Sequence, residues 1–290
     1  MDLAEIKDTL LIDFEAFLQK NLPSAPSFHP SYDKALKEMF EAGGKRFRPL
    51  MLLQIVESFQ PLLVKNSHFI ALAIEMIHTY SLIHDDLPTF DDANLRRGHP
   101  TLHVSYDEVT ATLVGDALNT HSFLLIADAP FSSDIKIELI YELSLNSGAN
   151  GMVLGQAIDC YFEDKVLTIS ELRFLHIHKT AKLIACSLKM GAIIVGLDKD
   201  KQNLLYEIGL NIGLLFQVQD DIIDATYTIK RAGKPTNNDN SKNSYTNLLG
   251  IDGAKKEKDR LILEVESQID KLDIEVKKRL LSSIDRYFKG

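Results

Sequence analysis

Residues 204–224 read LLYEIGLNIGLLFQVQDDIID, an apolar run that ends in a cluster of aspartates. Its apolar residues recur at intervals of three and four positions, which predicts a helix. Residues 71–91 repeat this arrangement with the sequence ALAIEMIHTYSLIHDDLPTFD. Both runs are apolar on more than one side, as is typical of the central helices of a bundle. Alternating strand patterns are almost absent, so the sequence predicts an all-α fold built as a single large helical bundle.

The composition is that of an ordinary globular domain. The chain has 290 residues, of which 45% are hydrophobic and 25% are charged. No stretch resembles an interdomain linker, so we expect one domain over residues 1–290, with a mobile polar loop at about 231–247. The net charge of −9 argues against a broad basic surface, and no nucleic-acid partner is expected. An anionic substrate would therefore need a local basic pocket.

Cysteine usage and hydropathy predict the compartment. Cys160 and Cys186 both lie in apolar helical patterns, which predicts that they pack in the core of a protein from a reducing compartment. The N-terminal segment lacks the basic and apolar regions of a secretory signal. The longest charge-free apolar runs are too short to span a bilayer. We therefore expect a cytoplasmic protein with no membrane span.

The first aspartate cluster contains Asp85, Asp86 and Asp91. Carboxylates at the C-terminal end of a helix face the negative end of its dipole, which costs stability unless a cation compensates. Carboxylate oxygens are the ligands that Mg²⁺ prefers. In a regular helix Asp85 and Asp91 would point about 120° apart, so Pro88 must distort the chain if both are to bind one ion. The alternative is an aspartate-rich helix terminus that binds no metal.

The second cluster contains Asp220, Asp221 and Asp224. Asp220 and Asp224 are four residues apart and share a helix face, where like charges repel unless a cation lies between them. Gln217 adds a neutral polar group one turn before Asp221. One such cluster is weak evidence for a metal site, but two clusters that follow apolar helices are much stronger evidence.

Basic residues accompany both clusters. The segment GGKRFRP occupies residues 43–49, and Arg96 and Arg97 follow the first cluster directly. Guanidinium groups bind diphosphates in a bidentate way, but such residues are also common in exposed ion pairs that contribute little. His176 and His178 do not predict zinc, because no cysteine or third ligand has a suitable spacing. Both interpretations of the basic residues remain open at this level.

Taken together, these segments resemble the trans-isoprenyl diphosphate synthase family, in particular its bacterial members that form farnesyl diphosphate. The matching segments are GGKRFRP at 43–49, IHTYSLIHDDLPTFDDANLRRGHPT at 77–101, GMVLGQAID at 151–159, HKTAKLI at 178–184, FQVQDDIID at 216–224 and AGK at 232–234. Each segment is weak evidence alone, but their joint occurrence over most of the chain is specific. One departure is residues 91–94, DDAN, where bacterial relatives often have four aspartates; the expected metal ligands are kept.

The resemblance implies a role for individual residues. Those expected to bind Mg²⁺ are Asp85 and Asp91, with Asp86 beside them, and Asp220 and Asp224. Those expected to hold the allylic diphosphate are Arg96, Lys179 and Lys234. Those expected to hold isopentenyl diphosphate are Lys45, Arg48, His78 and Arg97. Thr180 and Gln217 would lie near the developing allylic carbocation and contact substrate, and Gln156 and Asp159 would be inner polar residues of the cavity.

The resemblance also implies the fold and the reaction. The expected fold is the isoprenoid synthase bundle around a deep central cavity. The expected reaction is a Mg²⁺-dependent head-to-tail condensation of isopentenyl diphosphate with dimethylallyl or geranyl diphosphate, giving (2E,6E)-farnesyl diphosphate and diphosphate for isoprenoid biosynthesis. About three Mg²⁺ ions per active site are expected, with Mn²⁺ as a substitute, and the family implies a homodimer.

Product length and three alternatives depend on a few positions. Tyr80 lies five residues before Asp85, about 7.5 Å along a helix, and in related enzymes an aromatic residue here accompanies a C15 product. The less favoured alternative is that Tyr80 is one more core aromatic. A C20 synthase depends on the same residue. A terpene cyclase usually has a different second metal motif, and a non-catalytic synthase subunit typically loses motif residues that this chain retains.

Overall fold

The computed structural model describes residues 9–226 and 243–289. The helices are α1 (Thr9–Asn21), α2 (Tyr32–Glu41), α3 (Phe47–Phe59), α4 (Val64–Asp85), α5 (Leu102–Ser105), α6 (Glu108–Asp128), α7 (Ser133–Ser147), α8 (Met152–Tyr161), α9 (Ile169–His176), α10 (Lys182–Ile194), α11 (Lys199–Thr226), α12 (Tyr245–Ile269) and α13 (Ile274–Ile284). A 3₁₀ turn covers Pro61–Leu63, and π-helical turns cover Ile177–Ala181 and Asp285–Lys289. The strands β1 (Leu95–Arg96) and β2 (His99–Pro100) form a short antiparallel hairpin.

The bundle is organised around α4 and α10. Helix α4 packs between α3 and α6, and all its residues from 70 to 77 are buried. Helix α10 packs against α3, α7 and α11, and α11 packs in turn against α12. The buried apolar side chains form one continuous cluster. The all-α prediction is confirmed, and the apolar character of α4 on all sides follows from its central position.

Glycines in α11 bring this helix close to the π-helical turn 177–181. A Cβ atom at Gly213 would lie 2.3 Å from the Cα of Ala181, and one at Gly209 would lie 2.4 Å from the Cα of Ala185. Only a glycine permits such an approach between two helix backbones. The second aspartate cluster, at the C-terminal end of α11, is thereby carried on a helix that touches the turn bearing Lys179 and Thr180.

Two sequence predictions need correction. The polar loop is predicted to extend to about residue 247, but α12 already begins at Tyr245. Ser244 caps this helix, and its hydroxyl accepts a hydrogen bond from the backbone N–H of Asn247 (3.1 Å). Residues 231–242 lie outside the described ranges. Cys186 is buried as predicted, but the core position predicted for Cys160 is wrong, because that side of α8 faces a cavity. Among the described residues no helix is long and apolar enough to cross a membrane.

Candidate active site

The first aspartate cluster lies where α4 ends. The helix stops at Asp85, and residues 86–94 turn back on it. The backbone N–H of Asp91 donates to the carbonyl oxygen of Asp85 (2.9 Å), and that of Ala93 donates to the carbonyl oxygen of Asp86 (3.1 Å). The predicted distortion near Pro88 is confirmed, since the chain leaves the helix instead of carrying Asp91 around it. Burial raises the pKa of Asp85, Lys179 opposes that rise, and the charge of the nearby Asp91 adds to it.

Asp86 is paired with Arg96 from the neighbouring hairpin. The Arg96 Nε donates to Oδ1 of Asp86 at 2.9 Å and to Oδ2 at 3.3 Å, and its Nη2 also contacts Oδ1. Burial raises the pKa of Asp86 to about 6, and the Arg96 guanidinium opposes that rise. Asp86 therefore orients Arg96 at the rim of the first cluster, and β1 sets the position of the guanidinium.

Asp85 is held by two side chains that the sequence pattern also selects. Gln156 on α8 donates from Nε2 to Oδ1 of Asp85 (2.5 Å), and the Lys179 Nζ lies 3.7 Å from the same oxygen. Lys179 also contacts Oδ2 of Asp159 at 2.5 Å. Burial would lower the pKa of Lys179, but these two carboxylates outweigh it and raise that pKa above its ordinary value.

A glycine makes this arrangement possible. A Cβ atom at Gly155 would lie 2.1 Å from the backbone nitrogen of Lys179. Helix α8 therefore rests directly on the π-helical turn, so that Gln156 and Asp159 flank Lys179. A π-helical turn often occurs at functional sites, and here it places Lys179 against the first cluster while the next residue faces α11.

Thr180 links this turn to the second aspartate cluster. Its hydroxyl donates to Oε1 of Gln217 (3.1 Å), and Nε2 of Gln217 donates to Oδ1 of Asp221 (2.9 Å). The other Asp221 oxygen accepts the backbone N–H of Tyr245 (2.7 Å), at the start of α12. Burial raises the pKa of Asp221 to about 7. Asp221 is therefore an anchor for α12, whereas Asp220 lines a small cavity together with Lys45.

The remaining basic residues come from around the start of α3, from α4 and from the hairpin. Arg48 is buried, its Nε has no hydrogen-bond partner, and burial lowers its pKa to about 10. Arg97 donates from Nη1 to the carbonyl oxygen of Gly43. Burial, followed by the charges of Arg48, Arg97 and other arginines, lowers the pKa of His78 well below its ordinary value, so its imidazole is neutral. The Lys45 Nζ lies 5.3 Å from the ring centre of Phe216.

A cavity of about 360 Å³ lies between the first aspartate cluster, α8 and the π-helical turn 177–181. Its walls include Arg48, His78, Asp85, Gln156, Lys179 and Thr180, and also Tyr80, Ser81, His84, Phe90, Met152, Val153 and Cys160. The Tyr80 ring is buried and meets the His84 imidazole edge-on, with ring centres 5.7 Å apart. The cavity is thus lined by both charged and apolar groups, which suits a ligand with an anionic head and a hydrocarbon tail.

The sequence pattern selects seven of the fifteen lining residues, including Arg48, Asp85 and Lys179, and misses the others. Phe90 lies between Asp85 and Asp91 in the sequence, and His84 immediately precedes Asp85. Their closeness to the first cluster in the sequence predicts that they lie beside it in the cavity wall. Cys160 follows Asp159 by one residue on α8. Lys234 lies outside the described residues, so its predicted role stays a prediction.

The carboxylates of the first cluster fit Mg²⁺ better than a metal ion whose ligands all come from protein side chains. Within residues 9–226 and 243–289, no three His, Cys, Asp or Glu side chains form a group that could hold a metal ion. Mg²⁺ is commonly bound through one or two carboxylates, with waters and substrate phosphates as its other ligands. Asp85 and Asp91, brought together by the turn, provide such a partial set.

Comparison with known proteins identifies the family. The family model described as polyprenyl synthetase matches residues 29–284. This chain belongs to the polyprenyl synthetase family. It is therefore a prenyltransferase that elongates prenyl chains.

Individual relatives resemble the chain over most of its length. Farnesyl diphosphate synthase of Micrococcus luteus is 42% identical over 255 residues, which cover 86% of this chain and 85% of that protein. A chloroplastic geranylgeranyl pyrophosphate synthase of Catharanthus roseus is 39% identical over 81% of this chain and 67% of that protein. The crystal structure of a Helicobacter pylori geranyltransferase with magnesium and isoprenyl diphosphate has a TM-score of 0.93 and 47% identity, covering 97% of this chain and 96% of that one.

Proposed function

We propose that this polyprenyl synthetase condenses isopentenyl diphosphate with dimethylallyl and then geranyl diphosphate to give (2E,6E)-farnesyl diphosphate. One observation carries this proposal: a single cavity is lined both by the Asp85 and Lys179 groups and by apolar and aromatic side chains that include Tyr80. The allylic diphosphate would occupy the charged part, and the growing hydrocarbon chain would extend toward Tyr80.

The two substrates would be bound by different residues. Arg96, Lys179 and Lys234 would bind the allylic diphosphate, whereas Lys45, Arg48, His78 and Arg97 would bind isopentenyl diphosphate. Asp85, Asp91, Asp220 and Asp224 would hold Mg²⁺, which supplies Lewis-acid stabilisation of the leaving diphosphate. Burial and the neighbouring guanidinium groups lower the pKa of His78, and its imidazole would contribute a hydrogen bond to the diphosphate.

Positively charged side chains would assist cleavage of the allylic C–O bond. The apolar walls of the cavity would protect the resulting carbocation. As the allylic C1–O bond breaks, its electron pair leaves with the diphosphate, which the Lys179 ammonium and the Arg96 guanidinium stabilise. The cavity excludes water from the resulting cation, and Thr180 and Gln217 present oxygen atoms nearby. The double bond of isopentenyl diphosphate then attacks C1. A proton is lost from its C2, and the released diphosphate accepts that proton.

Further features extend the proposal. We infer about three Mg²⁺ ions per active site, with Mn²⁺ able to replace them, because two carboxylate clusters and two diphosphates are involved. One domain would span residues 1–290. A cytoplasmic location is supported by the two free thiols, which are typical of a reducing compartment.

A homodimer through α6 and α7 belongs to the same proposal. Both helices expose large apolar side chains at helical spacing, and such contiguous patches mark interaction surfaces. These are Val109, Leu113 and Leu124 on α6, and Ile137, Tyr141 and Leu145 on α7. Sedimentation analysis of wild-type protein and a Leu113→Lys variant should show a dimer and a monomer, respectively; a monomeric wild type would contradict this part.

Product identification tests the main proposal. Purified protein is incubated with Mg²⁺, isopentenyl diphosphate and geranyl diphosphate, and the prenyl products are identified by mass. We expect a dominant C15 diphosphate. A dominant C20 product would instead support the second candidate, a geranylgeranyl diphosphate synthase, which the similarity to such relatives favours. Absence of any elongated product from folded protein would contradict the proposal.

A further inference from the structure

Arg46 lies between two cations proposed to bind isopentenyl diphosphate, yet its side chain is used elsewhere. Its Nε contacts Oε1 of Glu15 at 2.8 Å, and its Nη1 contacts Oε1 of Glu75 at 2.9 Å. Its Nη2 donates to the carbonyl oxygen of Phe40 at 2.9 Å. The side chain is only 2% exposed. Arg46 therefore joins α1, α2 and α4 beneath the basic loop, and its guanidinium is not directed at a ligand.

The backbone at Arg46 is also unusual. Its φ of 47° and ψ of 36° place it in the left-handed region, immediately before α3 begins at Phe47. A non-glycine residue in this region is strained and persists where its surroundings hold it. This turn separates Lys45, near the Phe216 ring, from Arg48, which lines the central cavity. Holding Arg46 therefore fixes the relative placement of these two cations.

Glu75 supplies the buried counter-charge. It is 2% exposed and lies on α4, one turn before His78. Besides its contact with Arg46, its charge favours the protonated forms of Arg48 and Arg97. One carboxylate thus offsets several guanidinium groups around the proposed diphosphate pocket. Removing one member of a buried ion pair leaves the other charge uncompensated, so Glu75 without Arg46 would draw Arg48 or Arg97 toward itself.

We propose that Arg46 and Glu75 form a clasp that positions Lys45 and Arg48 for the diphosphate of isopentenyl diphosphate without touching that substrate. The proposal rests on the proposed function, because it deepens the assignment of that pocket. The Glu75 charge acts on Arg48 and Arg97, and the contacts of Arg46 are with Glu15, Glu75 and Phe40 and not with the Asp85 and Lys179 group. Its loss should therefore affect one substrate and spare the other.

The test compares two substrates in the same variants. KM for isopentenyl diphosphate, KM for geranyl diphosphate, kcat and Tm are measured for wild type, Arg46→Met and Glu75→Gln. We expect KM for isopentenyl diphosphate to rise about tenfold in both variants, while KM for geranyl diphosphate changes less than about twofold. The nearly isosteric Glu75→Gln change keeps the test usable if Arg46→Met fails to fold. A Glu75→Asp variant should recover part of the loss.

Two controls separate the alternatives. Arg260 on α12 also bridges two glutamates, with Nε 2.8 Å from Glu257 and Nη1 2.7 Å from Glu264, but it is half exposed. Arg260→Met should leave both KM values unchanged. Lys45→Ala should raise KM for isopentenyl diphosphate; if it does not, the proposed pocket assignment fails. The clasp proposal is overturned if Lys45→Ala raises KM for isopentenyl diphosphate but Arg46→Met and Glu75→Gln do not. It is also overturned if these two variants raise KM for both substrates in parallel.

Discussion

Replacing Tyr80 with alanine should lengthen the product by one C5 unit. Tyr80 lines the cavity and is buried. From Cβ to the hydroxyl, its side chain is about 6 Å long, whereas one added isoprene unit has four chain carbons and needs about 5 Å. The vacated length therefore admits one further unit, and not two. We expect the dominant product to change from C15 to C20.

The Tyr80 experiment has a close control in Tyr80→Phe, which keeps the ring and removes only the hydroxyl. Products are identified by mass at equal low conversion, with geranyl and farnesyl diphosphate as separate starting substrates. Tyr80→Phe should retain C15, and Tyr80→Ala should accept farnesyl diphosphate. Removing a buried aromatic ring costs up to about 3–5 kcal/mol, so Tm is measured alongside. An unchanged C15 product from folded Tyr80→Ala protein would refute the reasoning.

Three further predictions concern the metal site, a buried histidine and a close helix contact. Asp85→Asn or Asp220→Asn should lower kcat at least about a thousandfold with unchanged circular dichroism; near-normal turnover would eliminate these ligands. Burial lowers the pKa of His176 to about 3, so the unfolded state binds the extra proton and His176 costs about 2 kcal/mol of stability between pH 8 and pH 5. Between pH 8 and pH 5, the free energy of urea unfolding should fall by about 2 kcal/mol less in His176→Phe than in wild type. An identical fall in the two proteins would contradict a lowered pKa for His176. Gly155→Ala should lower both Tm and kcat, because its Cβ would lie 2.1 Å from the Lys179 nitrogen; wild-type values would show that α8 can shift freely.

Local sequence patterns predicted the helices and the position of the aspartate clusters because both depend on spacing. The apolar periodicity of residues 71–83 follows from the central place of α4, and Pro88 marks the region where the chain leaves the helix. Thr180 and Gln217, both expected near the allylic carbocation, contact each other, and Gln156, expected as an inner polar residue of the cavity, lines it and contacts Asp85. Their roles in catalysis stay predictions until the variants are measured.

Contacts between distant segments could not be predicted from spacing. In the sequence Arg46 has the same character as its neighbours, and only the folded chain brings Glu75, 29 residues away, against it. The motif assigns no role to Asp221, yet its carboxylate accepts a hydrogen bond from the backbone N–H of Tyr245, 24 residues away at the start of α12. Cys160 was assigned to the core because periodicity does not show which apolar face of a helix borders a cavity.

The most direct test of the central claim is whether diphosphate release requires both substrates. Released diphosphate and isotope-labelled isopentenyl diphosphate incorporated into product are measured in the same reaction with geranyl diphosphate and Mg²⁺. Prenyl transfer at this site predicts equal amounts of the two, and no release when isopentenyl diphosphate is omitted. Rapid diphosphate release from geranyl diphosphate alone, with no label incorporated, would contradict the account and indicate ionisation without chain elongation.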